Sequence, residues 1–123
     1  MATAQPIGAA HGQVMRRPVA EVAARLQDVL GQRLAAVVVD VKDAKAVGRW
    51  ARAEQRPYAA TEQRLRDALL VVELLLQAES PETVRAWFRG MNPQLGDESP
   101  ARALAARPTD VLQAARAFAA DAW

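Results

Sequence analysis

The chain has 123 residues, of which 51% are apolar and 24% charged. That is enough apolar material for one compact domain, or two subdomains too small to be stable apart, and too much for a disordered chain. No cysteine is present, which excludes disulfides, thiolate catalysis and most structural zinc sites. The net charge of +2 is unevenly spread: residues 1–57 carry nine Lys/Arg against five Asp/Glu, and residues 58–123 carry seven against nine. Such a split is expected when the first half meets a polyanion, although solvated surface charge also produces it.

Residues 1–17 lack periodicity and hold the single histidine, His11, so the expectation there is a flexible tail without catalytic use. They also lack a hydrophobic signal region, and the longest apolar run, Ala68 to Leu76, is interrupted by Glu73 and too short to span a bilayer. A cytoplasmic protein is expected. From Pro18 to Gly31, Val19, Val22, Ala23, Leu26, Val29 and Leu30 follow the spacing of one buried helical face. Residues 32–41 contain Val37-Val38-Val39-Asp40-Val41, which suits a strand by propensity. No partner strand is visible elsewhere, so a short buried helix over 32–39 is predicted instead. Asp43 can cap a helix from Ala44 to about Ala53, which must end before Arg56-Pro57.

Thr61 starts the longest helix, to about Ala78. Its apolar residues run almost all round, which predicts a central strut enclosed by other helices. Glu73, the one carboxylate in that run, is expected to reach the surface or pair with arginine. Ser80-Pro81 opens a helix ending near Gly90, Ser99-Pro100 opens a short one to Ala106, and Pro108-Thr109 opens the last, with Val111, Leu112, Ala115, Phe118 and Ala119 facing inward. The prediction is therefore an all-α, compact multi-helix domain. It divides into a tail (1–17), a helix-turn-helix-like DNA-binding region (18–58) and a helical region (59–123) joined by the long central helix.

The stretch from Arg33 to Trp50 can be read as a helix-turn-helix. Leu34, Ala35 and Val38 would pack the first helix, Val41 the turn, and Val47 and Trp50 the buried side of the second. Lys45, Arg49 and Arg52 recur at helical spacing on one outward face, with Lys42 and Arg56 flanking it. Cations so placed anchor phosphates, and arginine can read guanine. Gly48 falls on that face, where it can admit close backbone approach to DNA. Asp40 stands where such turns usually have glycine. The same spacing also fits an ordinary helical hairpin with a solvated basic face. Trp87-Phe88 before Asn92-Pro93 reads first as core packing, with Leu95 anchoring the corner. No nucleophile triad, phosphate loop or metal-ligand cluster is present, so neither an enzyme nor a bound cofactor or metal is expected.

Two motif groups resemble the Xre/MbcA/ParS-type antitoxin family. One is Trp87-Phe88, Asn92-Pro93-Gln94-Leu95-Gly96 and Ser99-Pro100, followed by Leu104 and Val111-Leu112. The other is Val47-Gly48-Arg49-Trp50 with Arg56-Pro57, although Ala53 stands where the family often has glycine. The resemblance runs from about Val19 to the C-terminus. It implies an antitoxin that neutralises a RES-domain, NAD-consuming toxin and represses its own operon, as a homo-oligomer or a hetero-oligomer with the toxin. It further implies DNA contact by Lys42, Lys45, Arg49 and Arg52, and Gly48 joins these candidates from its place on the same face. Toxin contact would fall on the C-terminal half, with Asn92, Leu95, Phe118 and Trp123 as candidates. The alternative is a stand-alone helix-turn-helix regulator without a toxin, and a helical adaptor with no DNA role is a third class.

Overall fold

A computed structural model describes residues 12, 14 and 16–121. From Val19 to Asp121 there are seven α-helices and one 3-10 turn, and no strand occurs among the described residues. The helices are α1 (Val19–Leu30), α2 (Gln32–Val38), α3 (Ala44–Ala51), α4 (Ala59–Leu76), α5 (Pro81–Arg89), α6 (Pro100–Ala103) and α7 (Pro108–Asp121), with the 3-10 turn at Pro93–Leu95. No described helix is long and apolar enough to cross a membrane.

The valine-rich segment is a helix, as tertiary burial required. Leu34, Ala35, Ala36 and Val38 of α2 are all buried, and that burial outweighs the β preference of its valines. Gly31 separates α1 from α2 with φ 81° and ψ 160°, a backbone region essentially reserved for glycine. Its N–H closes α1 on the Gln27 carbonyl at 2.8 Å.

Helix α4 is enclosed as its composition predicts. It packs against α1, α5 and α7, and Leu65, Ala68, Leu69, Leu70, Val71, Val72 and Leu75 are buried. Each buried leucine contributes about 1.5–3 kcal/mol relative to exposure. The helix starts at Ala59, two residues before Thr61, and α6 ends at Ala103 rather than Ala106. Ser80, Asn92 and Ser99 each accept a backbone N–H at the start of an element, from Thr83, Gln94 and Arg102 respectively. In α7, Val111, Ala115 and Ala119 face inward as expected, whereas Leu112 and Phe118 are half-buried and Ala114 takes a core position.

Both halves share one apolar cluster that runs from Val14 to Ala115. Arg85 ties them further by donating Nη1 to the Val29 carbonyl at 2.9 Å. The divisions 18–58 and 59–123 are therefore not separately cored. The tail boundary also moves. Val14, assigned to the tail, is only 2% exposed, and Arg66 Nη1 donates to the Val14 and Arg17 carbonyls at 2.7 and 2.8 Å. The remaining tail positions, including His11, lie outside the described residues. Glu73 meets its expectation: it takes Arg25 Nε at 3.0 Å and Arg17 Nη2 at 3.6 Å.

Candidate functional site

Helices α2 and α3 close with the same device. After α2, Asp40 N–H bonds the Val37 carbonyl at 3.1 Å and Val41 N–H bonds that of Ala36 at 2.9 Å. After α3, Ala53 N–H bonds Trp50 at 3.0 Å and Glu54 N–H bonds Arg49 at 2.9 Å. These paired bonds form a Schellman closure, whose first residue beyond the cap must be left-handed. Asp40 and Ala53 occupy that position with φ 61° and 59°. The two departures from the glycine pattern are thus changes of residue type only, since the backbone still makes both turns. An L-residue costs about 1–2 kcal/mol there, less for aspartate than for alanine.

The turn delivers α3 in a fixed orientation. Val47 and Trp50 are buried beneath it, at 0% and 5% exposure, and Val41 packs against the core from the turn. Asp43 caps α3 by accepting Lys45 N–H at 3.0 Å. On the opposite side Lys42, Lys45 and Arg52 are exposed and Arg49 is half-buried. Residues 42–56 hold five cations and two carboxylates. The carboxylates sit among the cations: Asp43 takes Arg49 Nη2 at 2.9 Å and Glu54 takes Arg52 Nε at 2.6 Å. Hydrogen bonds from Arg49 and from Lys45 N–H hold the Asp43 carboxyl below its ordinary value, and that of Arg52 does the same for Glu54. Arg49 is held a second time, by Gln55 Oε1 at 2.9 Å. Arg56 pairs with Glu62 at 3.1 Å, whereas Lys42 and Lys45 form no ion pair among the described residues.

Gly48 lies on the outward arc of α3 but is covered there. It is buried, and a Cβ there would lie 2.5 Å from Gln32 Nε2 and 3.1 Å from Arg52 Nη1. Gln32 reaches across α3 to bond Gln27 Oε1 at 2.9 Å. The glycine makes room for that carboxamide pair, which covers it.

The C-terminal candidates separate in the same way. Leu95 is 2% exposed in the core, so it anchors the corner and cannot meet a partner directly. Asn92 ties the corner together: its Oδ1 accepts Gln94 N–H and its carbonyl accepts Leu95 and Asp97 N–H, all at 2.9 Å. Phe118 is half-buried against Trp87, with ring centroids 6.3 Å apart. Trp87 in turn meets Phe88 edge-on at 5.1 Å, so the aromatic pair is core packing. Trp123 lies outside the described residues.

Sequence reasoning missed Gln55 as the second holder of Arg49. It also missed the approach of Arg33, Arg89 and Arg102 to one cleft. No helical spacing signals either: Gln55 bonds Arg49 from the turn after α3, and the three arginines come from separate helices. Set against family models, curated proteins and solved structures, the chain matches none of them.

Proposed function

We propose that the protein is the antitoxin of a type II toxin-antitoxin system. In this reading it binds and neutralises a RES-domain, NAD-consuming toxin and represses its own operon by binding DNA through α3. The observation that carries the DNA half is the pair of left-handed closures at Asp40 and Ala53, which frame α3 with Lys42, Lys45, Arg49 and Arg52 directed away from the core. Such a face can take phosphates with its cations, while arginine retains the capacity for base contact. The toxin half rests on the motif resemblance, with half-buried Phe118 the described candidate still able to reach a partner.

A second reading, a stand-alone DNA-binding regulator, gains support from Asn92 and Leu95, which are both used internally. The two readings separate on co-expression with the product of the adjacent gene. The antitoxin reading expects a RES-domain protein that co-purifies with this chain and whose depletion of cellular NAD the chain suppresses. A neighbour that neither co-purifies nor consumes NAD leaves the regulator alone.

A further inference from the structure

Three arginines line one open cleft of about 270 Å³: Arg33 from α2, Arg89 from the end of α5 and Arg102 from α6. None of the three forms an ion pair, whereas seven other arginines are engaged in the eight ion pairs among the described residues. The nearest acidic candidate in sequence, Glu98, is committed to Arg107 at 2.9 Å. The cleft is therefore a concentration of positive charge with no carboxylate in its lining and no counterion within ion-pair distance among the described residues. It also has an apolar part: Leu34 lines it, and Val37 stands 44% exposed, one of three large apolar residues so exposed among the described residues.

We propose that this cleft docks an acidic, partly apolar segment of a protein partner. Carboxylates of the segment pair with Arg33, Arg89 and Arg102, and an apolar side chain covers Val37. Guanidinium groups suit this task because they bind carboxylates through two parallel hydrogen bonds and are weakly hydrated. A nucleic-acid backbone fits less well, since Val37 and Leu34 offer a phosphodiester nothing. The chain's two lysines, Lys42 and Lys45, both lie at α3, so the cleft holds arginine alone. Arginine beside exposed apolar surface and without lysine is the composition of a protein interface. Because α2 joins α5 and α6 here, an occupant would touch the DNA-reading helix pair and the C-terminal half together. The inference depends on neither operator binding nor a toxin.

The test uses the full chain and a fluorescein-labelled peptide, Asp-Glu-Leu-Glu-Asp-Leu-Glu-Asp, followed by anisotropy. An Asn/Gln version of the peptide and a short mixed-sequence duplex serve as the other arms. The acidic peptide should bind and the amide version should not. The double variant Arg89→Gln, Arg102→Gln should weaken binding by about tenfold or more, as expected for loss of charge-assisted bonds at an exposed site. Val37→Glu, which supplies a carboxylate from within, should weaken it too while leaving the fold intact. Equal peptide affinity in all variants, or equal binding of the amide peptide, overturns the proposal. So does a loss confined to duplex binding, which would make the cleft a nucleic-acid surface. Lys45→Ala, read on the duplex alone, reports separately on the α3 reading.

Discussion

Asp43 Oδ2 accepts Arg49 Nη2 at 2.9 Å while Oδ1 of the same carboxylate caps α3 through Lys45 N–H at 3.0 Å. One side chain thus starts the helix and restrains the arginine best placed to leave it. Asp43→Asn keeps the cap acceptor and loses the charged bond to Arg49, so stability at neutral pH should fall slightly, less than in Asp43→Ala, while duplex binding at fixed salt should tighten. Asp43→Ala should lower the urea midpoint, because the cap acceptor is lost. Weaker duplex binding by Asp43→Asn would mean that holding Arg49 matters more than the repulsion of phosphate.

Asp43, Glu54 and Glu62 are each held below the ordinary carboxylate value, chiefly by hydrogen bonds from Arg49, Arg52 and Arg66. Because the folded values are the lower ones, their stabilisation is fully present above the unfolded values, near pH 4. It is lost as pH falls through the folded values. Thermal midpoints should therefore decline below about pH 4, and added salt should shrink the decline because all three groups are solvent-accessible. A midpoint unchanged down to about pH 2 would contradict these pairings.

The left-handed positions give a prediction of opposite sign. Ala53→Gly should stabilise the protein by about 0.5–1 kcal/mol, raising Tm by a few degrees, because glycine relieves the φ of 59°. Asp40→Gly should gain less, since aspartate tolerates that conformation better. Calorimetry showing destabilisation at Ala53 would refute the closure described for α3.

Leu95 and Asn92 separate anchoring from contact. Leu95→Ala empties a core site and should cost about 2–5 kcal/mol. Asn92→Ala loses the bond to Gln94 N–H and should cost about 1 kcal/mol. If Leu95→Ala leaves the urea midpoint unchanged, the corner is not built on that side chain.

Much of this architecture was legible because its signals are local. Asp43, Ser80 and Ser99 are polar residues directly before helices and cap them. The enclosed strut α4 announced itself by apolar residues on nearly every side, and Glu73 by its isolation. Part of what escaped depends on partners remote in sequence. Gly48 sits on the outward arc of α3, but Gln32 from the preceding helix covers it. Asp40 and Ala53 concealed two left-handed turns because residue type biases backbone conformation without dictating it. The cleft of Arg33, Arg89 and Arg102 arises only when α2 meets the elements after α4. The toxin partner rests on motif resemblance, and Trp123 lies outside the described residues.

DNA binding by α3, as proposed, should show itself in the salt dependence of duplex binding. The fragment to use spans the region upstream of the protein's own gene, titrated with the wild-type chain, Lys45→Ala and Arg49→Ala. Log affinity should fall steeply and linearly with log salt, by about 0.9 per phosphate neutralised. Lys45→Ala should reduce that slope by about 1, and Arg49→Ala should weaken binding at fixed salt without lowering the thermal midpoint by more than a few degrees. No binding at low salt, or affinities and slopes identical in all three proteins, would contradict it.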